Sequence, residues 1–463
     1  MNEEIAEYYE ELYRLYIDEN QPLERRYRQL RESLERVVRE RIQGNSLQIT
    51  DLAARINYVA TQYELDIKEQ NQLHTFRLTS NDILNHRKFP AKEEFLRDLR
   101  AVAFAYRKMF AQDIPLKLFS VLPKQEITSL GKKEKKEYIR RIRVCFDYAD
   151  DTYLYVHPVD IIADEPIRVV YNKPGINHEF EETIKELWRY AQLNLLDVFV
   201  DREGIYTPSF IVLEPDYLID ISSLAECYKD YGSHPANYFL SRLVPIDNAR
   251  PLLLGNIANL FLDEWIHAGE EEPDYIDCMK KAFRQYPIEL AACAELRDPS
   301  KEKEFAKDCR MHFEHIRDIV QHTFLEPGYN LDKKDAVLEP SYICEALGIQ
   351  GRLDYMQRDM SSFIEMKSGK ADEFSIQGKV EPKENNKVQM LLYMAVLEYS
   401  MGQDRRRMHP YLLYTRYPLL YPARASWAQV RRVINLRNRI VAAEYGVQFH
   451  NHSDFTRNLL AQI

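Results

Sequence analysis

Two short apolar segments that each contain charged residues constrain the fold of this chain more than any other feature. The segments GRLDYM and SFIEMKSG both lie within residues 338–371, and a polar connection joins them. Short runs of this kind, bounded by polar turn residues, are typical of β-strands joined as a hairpin. We therefore expect an antiparallel hairpin whose turn is centred near Asp359 and Met360.

The expected hairpin brings three polar side chains together. Successive side chains of a strand point to opposite faces, so Glu365 and Lys367 share one face. Ile364 and Met366 then share the opposite face. In the expected register, Asp354 lies opposite Glu365 to within one residue. The side chains of Asp354, Glu365 and Lys367 can therefore converge.

Two carboxylates and a lysine on one face of a sheet suit the hydrolysis of a phosphodiester bond. Hard oxygen ligands hold Mg²⁺ or Mn²⁺, and Mg²⁺ usually takes one or two carboxylates and keeps several waters. Such an ion can acidify a bound water and stabilise the charge that develops on the phosphate. Lys367 could orient or deprotonate the attacking water, or neutralise the phosphate, and the sequence leaves these roles open.

The same residues have a simpler interpretation as a surface hairpin. A cross-strand pair of Glu and Lys at exposed positions would give the same sequence pattern. The neighbours favour burial, however, because Glu365 and Lys367 lie among apolar residues in FIEMKSG. A buried cluster of charges needs a compensating partner, and a metal ion is one such partner.

Composition and periodicity divide the 463 residues into three regions. Residues 1–110 have apolar positions at helical spacing, which predicts a helical N-terminal region. Residues 111–215 contain short β-rich runs, which predict a small β-rich domain with an OB-like barrel as one candidate. In residues 216–463, helical patterns surround the hairpin. They predict an α/β domain in which helices flank a short mixed sheet, with a C-terminal helix.

The overall charge and the cysteines limit the function and the location. A net charge of −10 argues against a protein that coats nucleic acid through a broad basic surface. Six cysteines without a CxxC pair indicate a reducing cytoplasm. The N-terminal residues lack a signal-peptide pattern, and no apolar stretch reaches the length of a membrane span. We expect a cytoplasmic protein with no membrane partner.

Contacts with nucleic acid would therefore have to be local. Basic residues cluster within residues 131–143, and the other candidates for contacting a phosphate backbone are Arg352, Arg416, Arg431 and Arg432. Tyr414 and Tyr421 could stack on unpaired bases. Each of these residues could equally belong to an ordinary solvated surface.

The order of three motifs resembles a known nuclease superfamily. GRLDYM, IEMKSGK and VQMLLYM follow one another as in the RecB-like branch of the PD-(D/E)XK nucleases. VLEPDYLIDISSLAECY and LLLGNIANLFLDEW are more narrowly similar to the nuclease module of replication and repair helicase-nucleases. The resemblance spans roughly residues 195–440 and implies a restriction-endonuclease-like core.

The resemblance also implies roles for the residues of the hairpin. Asp354 and Glu365 match metal ligands, and the main-chain carbonyl of Met366 matches a further ligand. Lys367 matches the catalytic lysine. Glu339 matches an upstream acidic position and is a further candidate ligand.

A helix that follows the hairpin matches the QxxxY motif of the same branch. Gln389 and Tyr393 are its motif residues, and at positions i and i+4 they share one helical face. Both are therefore candidates for a catalytic role. Tyr393 could instead be a core residue, because it lies within LLYMAVL.

Two positions depart from the pattern of the branch. Asn259 stands where a GxxxH motif has a metal-binding histidine, and its neutral amide oxygen would be a weaker ligand. Members of the branch often hold an iron-sulfur cluster with one upstream and three downstream cysteines. Cys227 matches the upstream cysteine, but no cysteine follows Cys344, so we expect no cluster.

These features predict a Mg²⁺- or Mn²⁺-dependent deoxyribonuclease that cleaves single-stranded or flapped DNA in replication, repair or defence. These residues contain no GxxxxGK[ST] phosphate loop and hence no helicase motor. A helicase in cis or in trans is an expected partner. The alternative is a catalytically weakened module that binds DNA or acts as a scaffold, which the asparagine at 259 would favour.

Overall fold

The computed structural model describes the following residues: 3–43, 49–123, 137–163, 165–229, 232–243, 250–329, 331–374, 379–424, 426–449 and 457. The chain is divided into two compact units. Unit 1 contains residues 1–214 and 442–456, and unit 2 contains residues 215–441 and 457–463. The chain is an α/β protein with helices and mixed sheets. Among the described helices, none combines the length and apolar character that crossing a membrane requires.

Unit 1 begins with helices whose apolar faces form one core. These are α1 (Glu3–Ile17), α2 (Leu23–Ile42), α3 (Leu52–Gln62), α4 (Ile67–Leu84), α5 (Lys92–Phe110) and α6 (Leu116–Phe119). Tyr27, Phe76 and Phe95 lie at the centre of this core. Asp66 begins α4 because its carboxylate accepts hydrogen bonds from the free backbone N–H groups of the first turn.

The second part of unit 1 is a closed β-barrel. Its elements are β1 (Tyr138–Ala149), β2 (Tyr153–Pro158), β3 (Ile167–Val170), the short helix α7 (Glu181–Lys185), β4 (Gln192–Val200), β5 (Tyr206–Thr207) and β6 (Phe210–Leu213). β1 pairs with both β2 and β4, and β5 joins β3 to β4, so five strands close in a ring. β6 pairs with β4 outside this ring. Alternate residues such as Leu154 and Val156 are buried, as a half-buried strand requires.

Unit 2 contains helices and several sheets. Its helices are α8 (Ile221–Glu226), α9 (Pro235–Leu243), α10 (Arg250–His267), α11 (Tyr275–Gln285), α12 (Pro287–Ala292), α13 (Pro299–Gln321), α14 (Glu384–Met401) and α15 (Trp427–Phe449), whose last residues belong to unit 1. Its strands are β7 (Ile219–Asp220), β8 (Tyr228–Lys229), β9 (Gly232–Ser233), β10 (Ala336–Leu338), β11 (Ser341–Cys344), β12 (Ile349–Arg352), β13 (Tyr355–Gln357), β14 (Ser362–Lys367), β15 (Asp372–Phe374), β16 (Lys379–Glu381), β17 (His409–Tyr414) and β18 (Leu419–Pro422).

The central sheet of unit 2 has the strand order β10-β13-β14-β17-β18. β14 and β17 are parallel and the other neighbours are antiparallel, so the sheet is mixed. Ile364 and Met366 of β14 pack into a core that α10 and α13 also form. Glu365, on the opposite face of β14, contacts Gln389 of α14. Helices therefore cover both faces of the sheet next to the hairpin.

Candidate active site

The hairpin that the sequence predicts is present, and its register positions the acidic pair. β13 and β14 are antiparallel, with Tyr355 opposite Ile364. One further step along this register places Asp354, which immediately precedes β13, across from Glu365. The connecting turn includes Met360, whose φ of 60° is unusual for a residue with a side chain.

The Asp354 carboxylate lies at the edge of β14, beyond the end of β13. Its Oδ2 accepts a hydrogen bond from the backbone N–H of Met366 at 2.6 Å. The carbonyl of Lys367 accepts a hydrogen bond from Thr415, next to β17. Because the backbone groups of successive strand residues point to opposite sides, the Met366 carbonyl faces the edge that Asp354 occupies.

Glu365 is 5% exposed, and only one of its two carboxylate oxygens has hydrogen-bond partners among the described residues. Its Oε1 accepts hydrogen bonds from Lys367 Nζ at 2.9 Å and from Gln389 Nε2 at 2.6 Å. Its Oε2 is buried and has no hydrogen-bond partner among the described residues. A buried carboxylate oxygen without a donor is unfavourable, so this atom calls for a cation or an ordered water.

The electrostatics of the hairpin also favour a bound cation. Burial raises the pKa of Glu365, and the neighbouring Asp354 carboxylate raises it further. Burial raises the pKa of Asp354 as well, although the Met366 N–H and Lys367 oppose this effect. Burial alone would lower the pKa of Lys367, but Glu365 and Asp354 outweigh it and raise that pKa. The single positive charge of Lys367 therefore does not neutralise both carboxylates.

Gln389 connects the hairpin to two other elements of unit 2. Its Oε1 accepts a hydrogen bond from Lys367 Nζ at 2.8 Å. Its Nε2 donates to Glu365 and also to Ser222 Oγ on α8, at 3.0 Å. Gln389 therefore fixes the positions of both the lysine and the buried carboxylate.

Tyr393 lies one turn further along α14 and has a different environment. It is fully buried, and its hydroxyl donates to the carbonyl oxygen of Arg352 at 2.6 Å. A Cβ atom added to Gly351 would lie 3.0 Å from that hydroxyl, so the glycine permits this close contact. Tyr393 thus supports the main chain that leads to Asp354, which agrees with its interpretation as a core residue.

Glu339 and Arg352 lie beside the main chain of Asp354. The backbone N–H of Glu339 donates to the carbonyl of Asp354 at 3.1 Å. The Glu339 carboxylate forms an ion pair with Arg352 at 3.1 Å, and both side chains are partly exposed. The arginine predicted to contact nucleic acid therefore neutralises the upstream acidic residue in this structure.

Helix α10 packs against the end of β14 through Gly255. A Cβ atom at Gly255 would lie 3.3 Å from the hydroxyl of Ser368, the residue that directly follows Lys367. Asn259, one turn later, has a buried side-chain oxygen with no hydrogen-bond partner among the described residues. At this position the RecB-like branch has a histidine, whereas this chain has an asparagine whose acceptor oxygen has no partner among the described residues.

Asp263 is a further candidate site residue that the sequence pattern did not identify. It follows Asn259 by one helical turn, so the two side chains share one face of α10. Burial raises the pKa of Asp263 to about 6, and the negative charges of Glu339 and Asp354 contribute. The spacing of four residues from Asn259 was the one signal that could have identified it.

The predicted nucleic-acid contacts require corrections. Arg431 is 9% exposed on α15, where Val430 and Ile434 are also buried, so it does not offer a surface for a phosphate backbone. Tyr414 is fully buried and does not offer a ring for stacking. Arg432 is exposed and Arg416 half-buried. Most of the predicted basic cluster, residues 131–136, lies outside the described residues.

The hairpin offers oxygen donors of the kind that Mg²⁺ takes. Within the described ranges, no three His, Cys, Asp or Glu side chains form a group that could hold a metal by themselves. Mg²⁺ needs fewer, because one or two carboxylates with water and other oxygens suffice. The carboxylates of Asp354 and Glu365, one oxygen of which has no partner among the described residues, and the main-chain carbonyl of Met366 fit that requirement.

Comparisons with known proteins add no family assignment. No model of a protein family matches the chain, and a search of curated proteins finds no match.

Proposed function

We propose that this chain is a divalent-metal-dependent deoxyribonuclease of the PD-(D/E)XK type, RecB-like branch. One observation carries the proposal: Glu365 is buried beside Asp354 and Lys367, and one of its oxygens has no partner among the described residues. A merely structural ion pair between Glu365 and Lys367 would leave that oxygen and the Asp354 charge uncompensated. A divalent cation would compensate both.

Asp354, Glu365 and the main-chain oxygen of Met366 would hold Mg²⁺ or Mn²⁺. When bound, such an ion supplies positive charge to the phosphate under attack and acidifies water. Asn259 and Asp263 would act through water, because no group of three acidic or histidine ligands forms within the described residues. Glu339, paired with Arg352, would belong to the same outer layer.

Lys367 would act as a cation rather than as a base. Its pKa is raised by Glu365 and Asp354, so it stays protonated at neutral pH. Its ammonium group can then offset the charge that develops on the phosphate oxygens in the transition state. Gln389, which contacts both Lys367 and Glu365, would position these two groups.

The proposed folds of the two units have separate support. In unit 1, β4 returns to pair with β1, which gives the Greek-key order β4-β1-β2-β3, and five strands close the barrel. This arrangement supports an OB-like barrel. In unit 2, a mixed sheet with the acidic hairpin at its centre and helices on both faces supports a restriction-endonuclease-like core.

The proposed substrate is single-stranded or flapped DNA, in replication, repair or defence, with a helicase as a proposed partner. The alternative is a module that binds DNA without cleaving it. Retention of Asp354 and Glu365 favours the enzyme, because an acidic pair repels the phosphate backbone unless a metal ion is bound between them. The asparagine at 259 favours the alternative only if no nearby acidic side chain takes over the role of the missing histidine.

Cleavage of labelled DNA tests the proposal. Wild-type protein should cut single-stranded or flapped DNA with Mg²⁺ or Mn²⁺ and should be inactive with a chelator. Asp354→Ala and Lys367→Ala should lose this activity, whereas Lys303→Ala, which removes an exposed lysine on α13, should retain it. DNA binding without metal-dependent cleavage would instead support the alternative.

A further inference from the structure

A groove of about 420 Å³ opens beside the proposed catalytic lysine. Its lining includes Lys367, Lys370 and Lys383. Tyr228 and the first residues of α14 also line it. The groove therefore places two further lysine side chains in the same cavity as Lys367.

We propose that this groove binds the phosphate backbone of single-stranded DNA next to the scissile phosphate. This inference rests on the proposed nuclease function and identifies a substrate subsite for it. The groove shares Lys367 with the hairpin and extends beyond it, because Lys370 and Lys383 lie in the segments that follow β14 and precede α14.

The groove lining contains three lysines and three carboxylates, so its preference for a phosphate depends on which of these charges are already paired. Lys370 and Lys383 are exposed and form no ion pair within the described part of the chain. Two of the acidic residues in the wall have hydrogen-bond partners, and one of them, Glu384, also has a cation beside it. Glu226 accepts a hydrogen bond from Asn385, and Glu384 accepts one from Gln429 and pairs with Lys387. Asp372 is the remaining acidic residue of the wall.

The base of the groove is fixed to the strand that neighbours the lysine. Tyr414 lies directly across from Lys367 in the β14–β17 pair. Its hydroxyl accepts hydrogen bonds from Asn386 Nδ2 at 2.6 Å and from the backbone N–H of Lys383 at 3.1 Å. Lys383 and Lys367 are thus tied to one rigid sheet, so a strand bound in the groove would be aligned with the hairpin.

The start of α14 and one aromatic ring add to the same preference. The first turn of a long helix carries partial positive charge, which is favourable for an anion. Tyr228 is half-buried and lines the groove. An unpaired base can stack on such a ring, whereas a base within a duplex cannot. The groove therefore favours a single strand.

Binding measured without metal tests the groove independently of cleavage. Fluorescence anisotropy of a labelled 30-nucleotide single strand would be recorded in chelator at several salt concentrations. The double variant Lys370→Ala/Lys383→Ala should weaken binding by roughly tenfold, and the slope of log affinity against log salt should fall by about 1.4. The control Lys303→Ala/Lys307→Ala removes the same charge from the exposed side of α13 and should bind as wild type.

Failure of the groove and failure of the nuclease proposal give different results. If wild-type protein binds the strand but never cleaves it, and the groove variant binds weakly, the subsite stands and the nuclease proposal fails. If both double variants bind alike, or if wild-type protein does not bind, the subsite proposal is wrong. Where cleavage occurs, the groove variant should raise KM more than it lowers kcat. A fall in kcat without a change in KM would contradict the subsite proposal.

Discussion

At the scale of single residues, the site is defined by atoms whose hydrogen-bonding capacity is unused. Glu365 Oε2 and Asn259 Oδ1 are both buried acceptors without partners among the described residues. Lys367 and Gln389 satisfy only Oε1 of the glutamate. An acceptor without a donor leaves room for a cation or an ordered water, and together with the raised pKa of Asp263 these two atoms support the proposed metal site.

Asp263 should support metal binding. Asp263→Asn removes a negative charge near Asp354 and should weaken Mn²⁺ binding by about tenfold, as loss of an outer-shell partner does. Asn259→His adds an imidazole ligand at the preceding turn and should strengthen binding. Isothermal titration calorimetry measures both effects without any need for cleavage. Glu264→Gln, whose partner is Lys281, is the matched control. Equal Mn²⁺ affinities in all variants would show that α10 does not contribute to the metal site.

Tyr393 should act through structure rather than chemistry. Tyr393→Phe leaves the ring in the core but removes the hydrogen bond to the Arg352 carbonyl. The free energy of unfolding should fall by about 1 kcal/mol, and cleavage should fall far less than in Asp354→Ala. Chemical denaturation and rate measurements check this. Abolished cleavage with unchanged stability would show that the hydroxyl has a catalytic role.

At the scale of elements, the sequence predicted local structure better than the pairing of strands that are far apart in the chain. The hairpin register was predictable, because two short strands and a short polar turn leave few ways to pair Asp354 with Glu365. The ring closure of the barrel was not, because β1 and β4 are separated by a long stretch of chain. The exposure of Arg431 was also wrongly predicted, since a run of arginines does not reveal which face of α15 is buried.

Glu214, at the end of β6, should make unit 1 sensitive to pH. It accepts hydrogen bonds from Gln192 and from Thr50, which precedes α3, and its burial raises its pKa to about 7. Because the folded-state pKa exceeds the ordinary value of 4.5, this group's contribution to stability is complete below pH 4.5 and declines as the pH rises through about 7.

Glu214→Gln should therefore stabilise the protein increasingly as the pH rises. Relative to wild type, its free energy of unfolding should increase by about 2 kcal/mol between pH 4.5 and pH 8. Denaturant unfolding at both pH values measures this difference. Glu203→Gln, at an exposed position of the same unit, should show no such trend. A pH-independent effect at Glu214 would mean that the pKa of this carboxyl is the same in the folded and the unfolded protein.

At the scale of the whole molecule, the proposed sites occupy small regions of an acidic protein. A net charge of −10 opposes broad contact with nucleic acid, so the proposed DNA binding would have to use local sites such as the groove beside Lys367. Each unit has its own buried core, and the acidic hairpin lies in the middle of the sheet of unit 2. The buried charges of that sheet reduce stability unless a cation compensates them.

Metal ions should consequently stabilise the protein. At a Mn²⁺ concentration about 100 times the Kd, binding to the folded state should add about 2.7 kcal/mol and raise the unfolding temperature by several degrees. Differential scanning calorimetry of wild type and Glu365→Ala, with and without Mn²⁺, checks this. The rise should disappear in the variant. The same rise in both proteins would place the stabilising ion elsewhere.

The most direct measurement is the cleavage rate of single-stranded DNA by wild type and by Glu365→Gln in saturating Mn²⁺. Glutamine keeps the shape of the side chain but removes the negative charge that would hold the ion. We predict metal-dependent cleavage by wild type and a loss of at least about a hundredfold in the variant, with its fold and DNA binding retained. Equal rates in the two proteins, or no cleavage by wild type, would contradict the assignment of this hairpin as a nuclease site.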